Sequence, residues 1–516
     1  MESTLVNNLL NPACYPHEVS EFEVIETHIA WLIRTGEFVY KIKKPVNFGF
    51  LDFTTLEKRK YFCEEELRLN QRLSENTYLE VVTIGGTESN PTIGTASTDQ
   101  PIEYAVKMRE FASGLLLSEL LNIYKFDPNW IDKLADKIAD FHQRAPIVAP
   151  GSPWGEPNSI AAISEDNYRD IDRSLIPEED AKELDRLWQH IKDRYQLLEP
   201  LMRRRKLDGS IRECHGDLHL GNITLDGDSL LVFDCIEFNL EFRWIDKMSD
   251  LGFLLMDLEA NGHPRWANRC LNRYMEITGD YEGLILLPYY KAHRAMVRAK
   301  VAMLGEKPNL AEFQHYLKLT AEYAAAPLPM LVMMQGISGS GKSHISSKLA
   351  ELISGVRVRS SAERKKIYRK ASREGESLEM YGADMNMRTF LEMKRVSGIL
   401  LEAGQTLILD AAYIRQRSRR QFLQLAEELG CPARIIACEP PEKVIKARLA
   451  KRSEEREDPT DATIEVMHAQ KRVAEPLSEE EELIAFHIDT SEENAHLKII
   501  QYLIDQKLLP ETVNCG

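Results

Sequence analysis

Eight residues beginning at Gly336 restrict this chain more than any other stretch: Gly336-Ile337-Ser338-Gly339-Ser340-Gly341-Lys342-Ser343. They satisfy the spacing G-x-x-x-x-G-K-[ST] without departure. Glycines let successive backbone N–H groups turn inward around a polyphosphate, and a helix N-terminus adds partial positive charge. Lys342 can then reach the β and γ phosphates, and the Ser343 hydroxyl can take a position on Mg2+. The flanks agree with this reading. The apolar run Met330–Met334 predicts a strand, and Ile345, Leu349, Leu352 and Ile353 space an amphipathic helix that Gly355 would cap. The chemistry also asks for a carboxylate at the end of a neighbouring strand. Leu407-Ile408-Leu409-Asp410 supplies one, suited to hold the metal directly or through water.

Around this loop, strand and helix patterns alternate: Val356–Ser360, Met385–Ala403, Thr406–Asp410, Gln416–Leu429, Ala433–Cys438, Glu442–Arg452. Alternation of this kind predicts a parallel sheet covered by helices, an α/β domain. Its start is marked by Thr320–Pro329, where a helical pattern runs into Pro327 and Pro329. The expected boundary lies near residue 326, dividing the chain into 1–325 and 326–516. In the last listed helix Arg448 and Arg452 share one face, with Lys451 and Arg456 nearby. A cationic face is ordinarily solvated, but here either arginine could neutralise charge on a transferring phosphoryl group.

The first part reads as strands and then helices, an α+β body with a cleft between two lobes. Strands are expected at Glu21–Arg34 and Glu37–Lys43 around a Thr35-Gly36 turn, and at Leu79–Ile84 and Ile102–Phe111. A charged helix is expected at Thr54–Leu73. The strand-rich lobe spans about 20–111 and the helical lobe about 112–325, the latter broken by a β-like block at His215–Phe238. That block contains His215-Gly216-Asp217-Leu218-His219-Leu220-Gly221-Asn222, followed by the apolar strand Leu230–Asp234. Two carboxylates and an amide can surround one nucleotide in this way. Asp217 would orient or deprotonate an acceptor hydroxyl, while Asn222 and Asp234 would coordinate Mg2+. Upstream, Lys41 emerges from the strand Phe38–Lys41 toward the α and β phosphates. Lys43 is its same-face neighbour and Lys44 points oppositely, so Lys41 is preferred. Glu66 has a core-adjacent face on its helix and is the expected partner of Lys41.

These residues carry two resemblances. Residues from about 20 to 320 resemble the aminoglycoside phosphotransferase family, relatives of the protein kinases, which also tolerates H-G-D and lacks a glycine-rich loop. The resemblance implies a two-lobed protein-kinase-like fold with ATP and Mg2+, and an interlobe hinge at Glu110 and Phe111 whose backbone reads adenine. Asp234-Cys235-Ile236-Glu237 replaces D-F-G, and Glu237 either adds a carboxylate near the metal or is structural. Residues 330–516 resemble the P-loop kinases that include polynucleotide kinases, zeta-type toxins and gluconate-kinase-like enzymes. Many of those place an Asp after the second strand to draw the acceptor proton. Here Ser361 or Ala362 stands there, and neither can act as a base near neutral pH. The order of the two modules resembles a group of bacterial fusions of these two domain types.

Composition narrows the partners. The balance of 65 basic to 81 acidic side chains, a formal charge of −16, argues against a chain-wide nucleic-acid or anionic-membrane binder. No apolar run approaches the roughly 20 residues that span a bilayer, and no signal peptide is visible. The eight cysteines form no C-x-x-C and suit reduced core thiols in a cytoplasmic protein. The basic run Arg203–Lys206 and the helix with Lys291, Arg294, Arg298 and Lys300 read as solvated or acid-paired faces, and Glu479–Glu482 as an exposed helix start. The expected function is a phosphotransferase with two ATP/Mg2+ sites, acting on a hydroxyl of a small molecule in preference to a protein. The alternatives are a nucleotide-gated regulator, favoured by the missing acid at 361–362, and a nucleic-acid end kinase, opposed by the charge.

Overall fold

The computed structural model describes residues 4–94, 100–111, 116–122, 126–304, 307–325, 328–455 and 463–511. The chain forms two compact units, one of Met1–Lys133, Asp140–Asp257 and His293–Leu317, the other of Leu134–Ala139, Leu258–Ala292 and Lys318–Gly516. Compactness therefore does not follow the single division read near residue 326. Residues 258–292 precede that boundary in sequence but fold with the second unit, for a reason visible in its sheet.

The first unit opens with an antiparallel sheet of β1 (Glu23–Glu26), β2 (Ala30–Arg34), β3 (Phe38–Lys43), β4 (Tyr78–Thr87), β5 (Asn90–Ile93) and β6 (Glu103–Arg109), in the order β1-β2-β3-β6-β4-β5. The single strand expected over Glu21–Arg34 is instead the hairpin β1–β2. The Thr27 hydroxyl accepts from the Ala30 N–H at 3.0 Å and pins that turn. β5 lies in the Gly/Thr/Ser/Asn-rich segment that reads as a separator. Gly86, at φ +81° near the end of β4, pairs with Pro91, and a Cβ on it would stand 2.4 Å from the Asn90 carbonyl oxygen. Thr35-Gly36 does form the β2–β3 turn.

The helix Leu56–Asn70 crosses behind this sheet, its first turn capped by the Thr55 side chain accepting from the Lys58 N–H. It buries Arg59, Cys63, Glu66, Leu69 and Asn70, a polar-rich face that is tolerable because its charges are paired. Arg59, for example, grips Glu103 with contacts of 2.8 Å. Further on, β7 (Ile211–Glu213), β8 (Ile223–Asp226), β9 (Ser229–Val232) and β10 (Trp244–Asp246) form two small antiparallel pairs, β7 with β10 and β8 with β9. The loop between β7 and β8 carries the His215–Asn222 motif.

The second unit contains a parallel sheet of β11 (Leu331–Gln335), β12 (Val356–Arg359), β13 (Leu407–Asp410), β14 (Ala433–Cys438) and β15 (Ala485–Ile488), ordered β12-β13-β11-β14-β15. Its inner strands β11, β13 and β14 carry near-continuous buried apolar runs, as in sheets covered on both faces, whereas the edge strand β12, Val-Arg-Val-Arg, alternates. Val332, Met334, Ile345, Leu349, Ile408, Ile436, Ile488 and Ile499 share one core. The helix after β11 ends at Leu352, earlier than expected, and it is Ser354 (φ +51°), not Gly355, that takes the left-handed position. The helix Pro264–Thr278 finishes the edge at β12. Asn272 accepts from the Arg357 N–H at 2.7 Å and donates to the Gly355 carbonyl at 2.9 Å, standing in for a neighbouring strand. The run Glu479–Glu482 is a short helix capped by Ser478, but Glu481 is buried against the fully buried Arg419, so it is not simply an exposed face.

Candidate active sites

In the first unit, side chains alternate along β3, so Lys41 and Lys43 leave the same face. Both meet Glu66, which is fully buried: Lys41 Nζ lies 2.8 Å from Oε1 and Lys43 Nζ 2.6 Å from Oε2. Lys41 also reaches Asp234 Oδ1 at 2.6 Å, so one ammonium bridges the helix carboxylate and the carboxylate after β9. Burial disfavours the Lys41 charge, yet Asp234 and Glu66 hold its pKa well above the usual lysine range. Burial likewise opposes the Glu66 charge, and the two lysines overcome it and lower its pKa. The second lysine was not singled out from sequence beyond being a neighbour. Its partner Glu237 is buried on Lys43, and burial raises the Glu237 pKa. Asp234 adopts φ +64°, a strained value for a non-glycine residue of the kind that collects at functional sites. Its N–H faces the Tyr78 hydroxyl, and the next N–H, of Cys235, is taken by Asn70 Oδ1 at 2.9 Å.

The loop bearing Asp217 is held from beneath. Asp250 accepts from the N–H groups of His215 and Gly216 at 3.1 and 2.9 Å and also meets His142 Nε2 at 3.0 Å. Arg294, read from sequence as a face residue, is buried and donates to the Gly216 carbonyl at 3.0 Å. Gly216 stands where a kinase motif has Arg, for a local reason. Its φ is +88°, and a Cβ there would sit 2.7 Å from the Phe242 carbonyl oxygen.

Asn222 donates to the Asp217 backbone oxygen at 3.0 Å and to its carboxylate at 3.2 Å. His219 Nε2 lies 3.3 Å from the same carboxylate. Desolvation pushes Asp217 upward, but His219, His215 and Arg294 outweigh it and bring its pKa to about 2. Burial works against a charged His219, and Asp217 more than offsets this, raising its pKa. At the expected hinge, the Glu110 N–H already donates to the Glu37 carbonyl, and the Glu110 carboxylate accepts from the Arg34 guanidinium. Phe111 packs on Phe233 with ring centroids 5.2 Å apart.

In the second unit, Gly336, Gly339 and Gly341 have φ of +146°, +83° and +87°. A Cβ at Gly336 would meet the Cys438 carbonyl at 2.9 Å, and one at Gly341 would meet Thr490 Oγ1 at 2.6 Å, so the loop is drawn tight against its surroundings. Lys342 folds over it, donating to the Ile337 carbonyl at 2.8 Å. Asp410, at the end of β13, accepts from the Ser343 hydroxyl at 3.3 Å and from the Ser346 hydroxyl at 2.9 Å. Ser346 was missed from sequence, although its place one turn after the loop was a signal. The glycine cradle, hydroxyl and carboxylate fit a Mg2+-bound polyphosphate.

Arg448 donates to the Thr490 carbonyl at 2.8 Å, and Thr490 in turn donates to the Ser340 carbonyl at 2.6 Å. The arginine thus braces the loop. The side chain of Arg452 lies outside the described residues, as does Arg456. Beside the loop is a cavity of about 630 Å³ whose lining includes Ser338, Arg364, Tyr381, Phe390, Arg415 and Gln470. Ser360 lines it as well, while Glu363 is buried, accepting from the Tyr281 hydroxyl at 2.7 Å and pairing with Lys366.

All seven described cysteines are buried and unbridged. Among the described residues, no helix is long and apolar enough to cross a membrane.

Residues 118–287 match the family described as Phosphotransferase enzyme family, and residues 331–477 match one described as AAA domain. Uncharacterized proteins of Mycobacterium tuberculosis and Mycobacterium bovis are each 28% identical over 460 residues, covering 87% of this chain and 90% of theirs. Among solved structures, an ethanolamine kinase of Plasmodium vivax aligns at 11% identity over 59% of this chain and 82% of its own, with a TM-score of 0.39. A sugar kinase from Janibacter sp. aligns at 18% identity over 36% of this chain and 99% of its own, with a TM-score of 0.27.

Proposed function

We propose that this chain, which joins a phosphotransferase-family domain to a P-loop kinase-like domain, uses ATP and Mg2+ at two separate sites. In sequence the division lies near residue 326. The first half phosphorylates a hydroxyl, of a small molecule in preference to a protein; the second is a P-loop kinase or ATPase. The observation that carries the reading is Lys41, bridged between Glu66 and Asp234 at 2.8 and 2.6 Å, which supports an ammonium positioned for phosphates beside a metal-binding carboxylate.

In this reading Asp217 orients the acceptor hydroxyl, Asn222 and Asp234 hold Mg2+, and Glu110 and Phe111 offer backbone to the base. Residues 336–343 cradle the second triphosphate, with Ser343 and Asp410 on its Mg2+ and Arg448 and Arg452 toward the transferring group. Mg2+ supplies charge neutralisation on the phosphate oxygens when bound. With a pKa near 2, Asp217 is a weak base, so its work is to align the hydroxyl and receive the proton late. The charge balance supports a small acceptor over nucleic acid, and the buried cysteines support a reducing, cytoplasmic setting.

The test is transfer of labelled γ-phosphate into a metabolite extract by wild type, Asp217→Ala and Lys342→Ala. Loss of a labelled product in Asp217→Ala assigns that transfer to the first half. A regulator in which the second half only hydrolyses ATP remains the second reading, favoured by Ser361 and Ala362; hydrolysis lost in Lys342→Ala with no labelled acceptor would establish it.

A further inference from the structure

The cavity beside the phosphate loop has an unusual lining for so acidic a chain. Among the described residues it contains two guanidiniums, Arg364 and Arg415, and no carboxylate. Among the described residues neither arginine has an acidic partner. Arg364 is part-buried and held in place by the Asn386 side chain at 2.6 Å and the Met380 carbonyl at 3.2 Å, its plane over the Tyr381 ring. The acid that could have served as a base, Glu363, is turned into the protein interior onto Tyr281 and Lys366.

One end of the cavity is Ser338 of the phosphate loop, whose N–H is taken by Gln470 from the helix Ile464–Val473 at 2.7 Å. The site lies beyond the carboxyl ends of β11 and β13, where open parallel sheets bind ligands. At about 630 Å³ it suits a small molecule. Phe390 and Tyr381 line it with aromatic surface, and the arginines offer forked donors matched to phosphate or carboxylate oxygens. A hydroxyl nucleophile would need a base that this lining lacks. A phosphate monoester needs none, because its oxygens are already ionised near neutral pH, and its near-double charge matches two guanidiniums.

We infer that this cavity takes a small phosphate monoester and that the second half transfers the γ-phosphoryl group of ATP onto one of its phosphate oxygens. The inference rests on reading this half as an ATP-using kinase. In the step, an anionic oxygen of the acceptor forms a bond to the γ phosphorus, the bond from that phosphorus to the β-bridging oxygen breaks, and ADP leaves with the electron pair. The product is a phosphoanhydride and no proton is removed. The reaction that supplies such an acceptor is phosphorylation of a hydroxyl, the chemistry proposed for the first half of the same chain.

The test uses the full chain carrying Asp217→Ala, so that the first half is silent, with γ-labelled ATP. It is given phenyl phosphate, glycerol phosphate, and a small-molecule cell extract either intact or treated with alkaline phosphatase that is then removed. The expected product is labelled from the intact extract or a monoester probe, falls more than tenfold in the treated extract, and loses its label in hot acid as an anhydride does. Arg364→Ala and Arg415→Ala should each raise the acceptor concentration for half-maximal labelling by about tenfold or more. Arg364→Lys, which keeps the charge, should recover part of this and guards against a folding defect.

An acid-stable ester, or a hydroxylamine-sensitive acyl phosphate, formed equally from treated extract would overturn the acceptor class and leave the kinase reading standing. Lys342-dependent hydrolysis with no labelled product overturns it too, in favour of an ATPase. Hydrolysis and labelling unchanged in Lys342→Ala would remove the underlying reading instead.

Discussion

Lys41 Nζ stands 2.6 Å from Asp234 Oδ1, joining a residue of the third strand to one 193 positions later. The contact ties the antiparallel sheet to the segment after β9 through charge, and Glu66 completes the chain of ions from the other side. Lys41→Met should therefore do more than weaken phosphate contact. It leaves the buried Glu66 with Lys43 alone, a loss smaller than the roughly 3–5 kcal/mol of a fully unpaired buried ion. Thermal unfolding should show that loss, and label transfer assigned to the first half should fall by about a hundredfold or more.

Gly216 predicts a different failure. Replacing it with Arg would match the kinase motif better on paper, yet the backbone at φ +88° and the Phe242 carbonyl leave no room for a Cβ. Gly216→Arg should destabilise the chain by roughly 1–3 kcal/mol and lower transfer by the first half, because Asp217 follows directly. Chemical denaturation and the labelling assay read the two effects separately.

The Asp217–His219 pair gives a pH signature. Asp217 titrates near 2 when folded against an ordinary 3.8, so its stabilising share is present above 3.8 and is lost as pH falls toward 2. His219 is raised above its ordinary 6.5, so its share is full below 6.5 and is lost as pH rises through the raised value. The pair contributes most between these limits. The acid limb of kcat/KM for the first half should not report Asp217 above about pH 3. His219→Asn should move that limb upward, and rate–pH profiles of the two proteins check it.

In the second unit, Asn272→Ala removes both hydrogen bonds that finish the β12 edge. It strands the Arg357 N–H and Gly355 carbonyl, at about 1–3 kcal/mol for each buried group left unpaired. Hydrogen exchange at Arg357 should accelerate markedly, with the strands β14 and β15 little affected.

Much of the architecture was readable because the determining signals were local. The phosphate loop lies between a strand and a helix, and the strand Ala433–Cys438 was placed to the residue. The pairing of Lys41 with Glu66 was readable because Leu69 and Leu73 give Glu66 a core-adjacent helix face. What escaped depends on partners distant in sequence. Nothing local says that Glu481 would be buried on Arg419, or that Arg294 would reach the Gly216 carbonyl. The hairpin at Thr27 was hidden because its strands share one β-rich composition, and β5 was hidden by turn-forming residues on either side. Nor does anything local join 258–292 to the second unit, where Asn272 bonds Gly355 and Arg357 more than 80 residues away. The Lys43–Glu237 pair was not legible, because it joins residues 194 positions apart and sequence spacing does not report burial.

The central claim is two nucleotide sites in one polypeptide, and titration calorimetry with a non-hydrolysable ATP analogue and Mg2+ addresses it most directly. The account predicts two equivalents per chain in the wild type and one in Lys342→Ala, with the remaining site abolished when Asp234→Ala is added. One equivalent in the wild type, or two in Lys342→Ala, would contradict it.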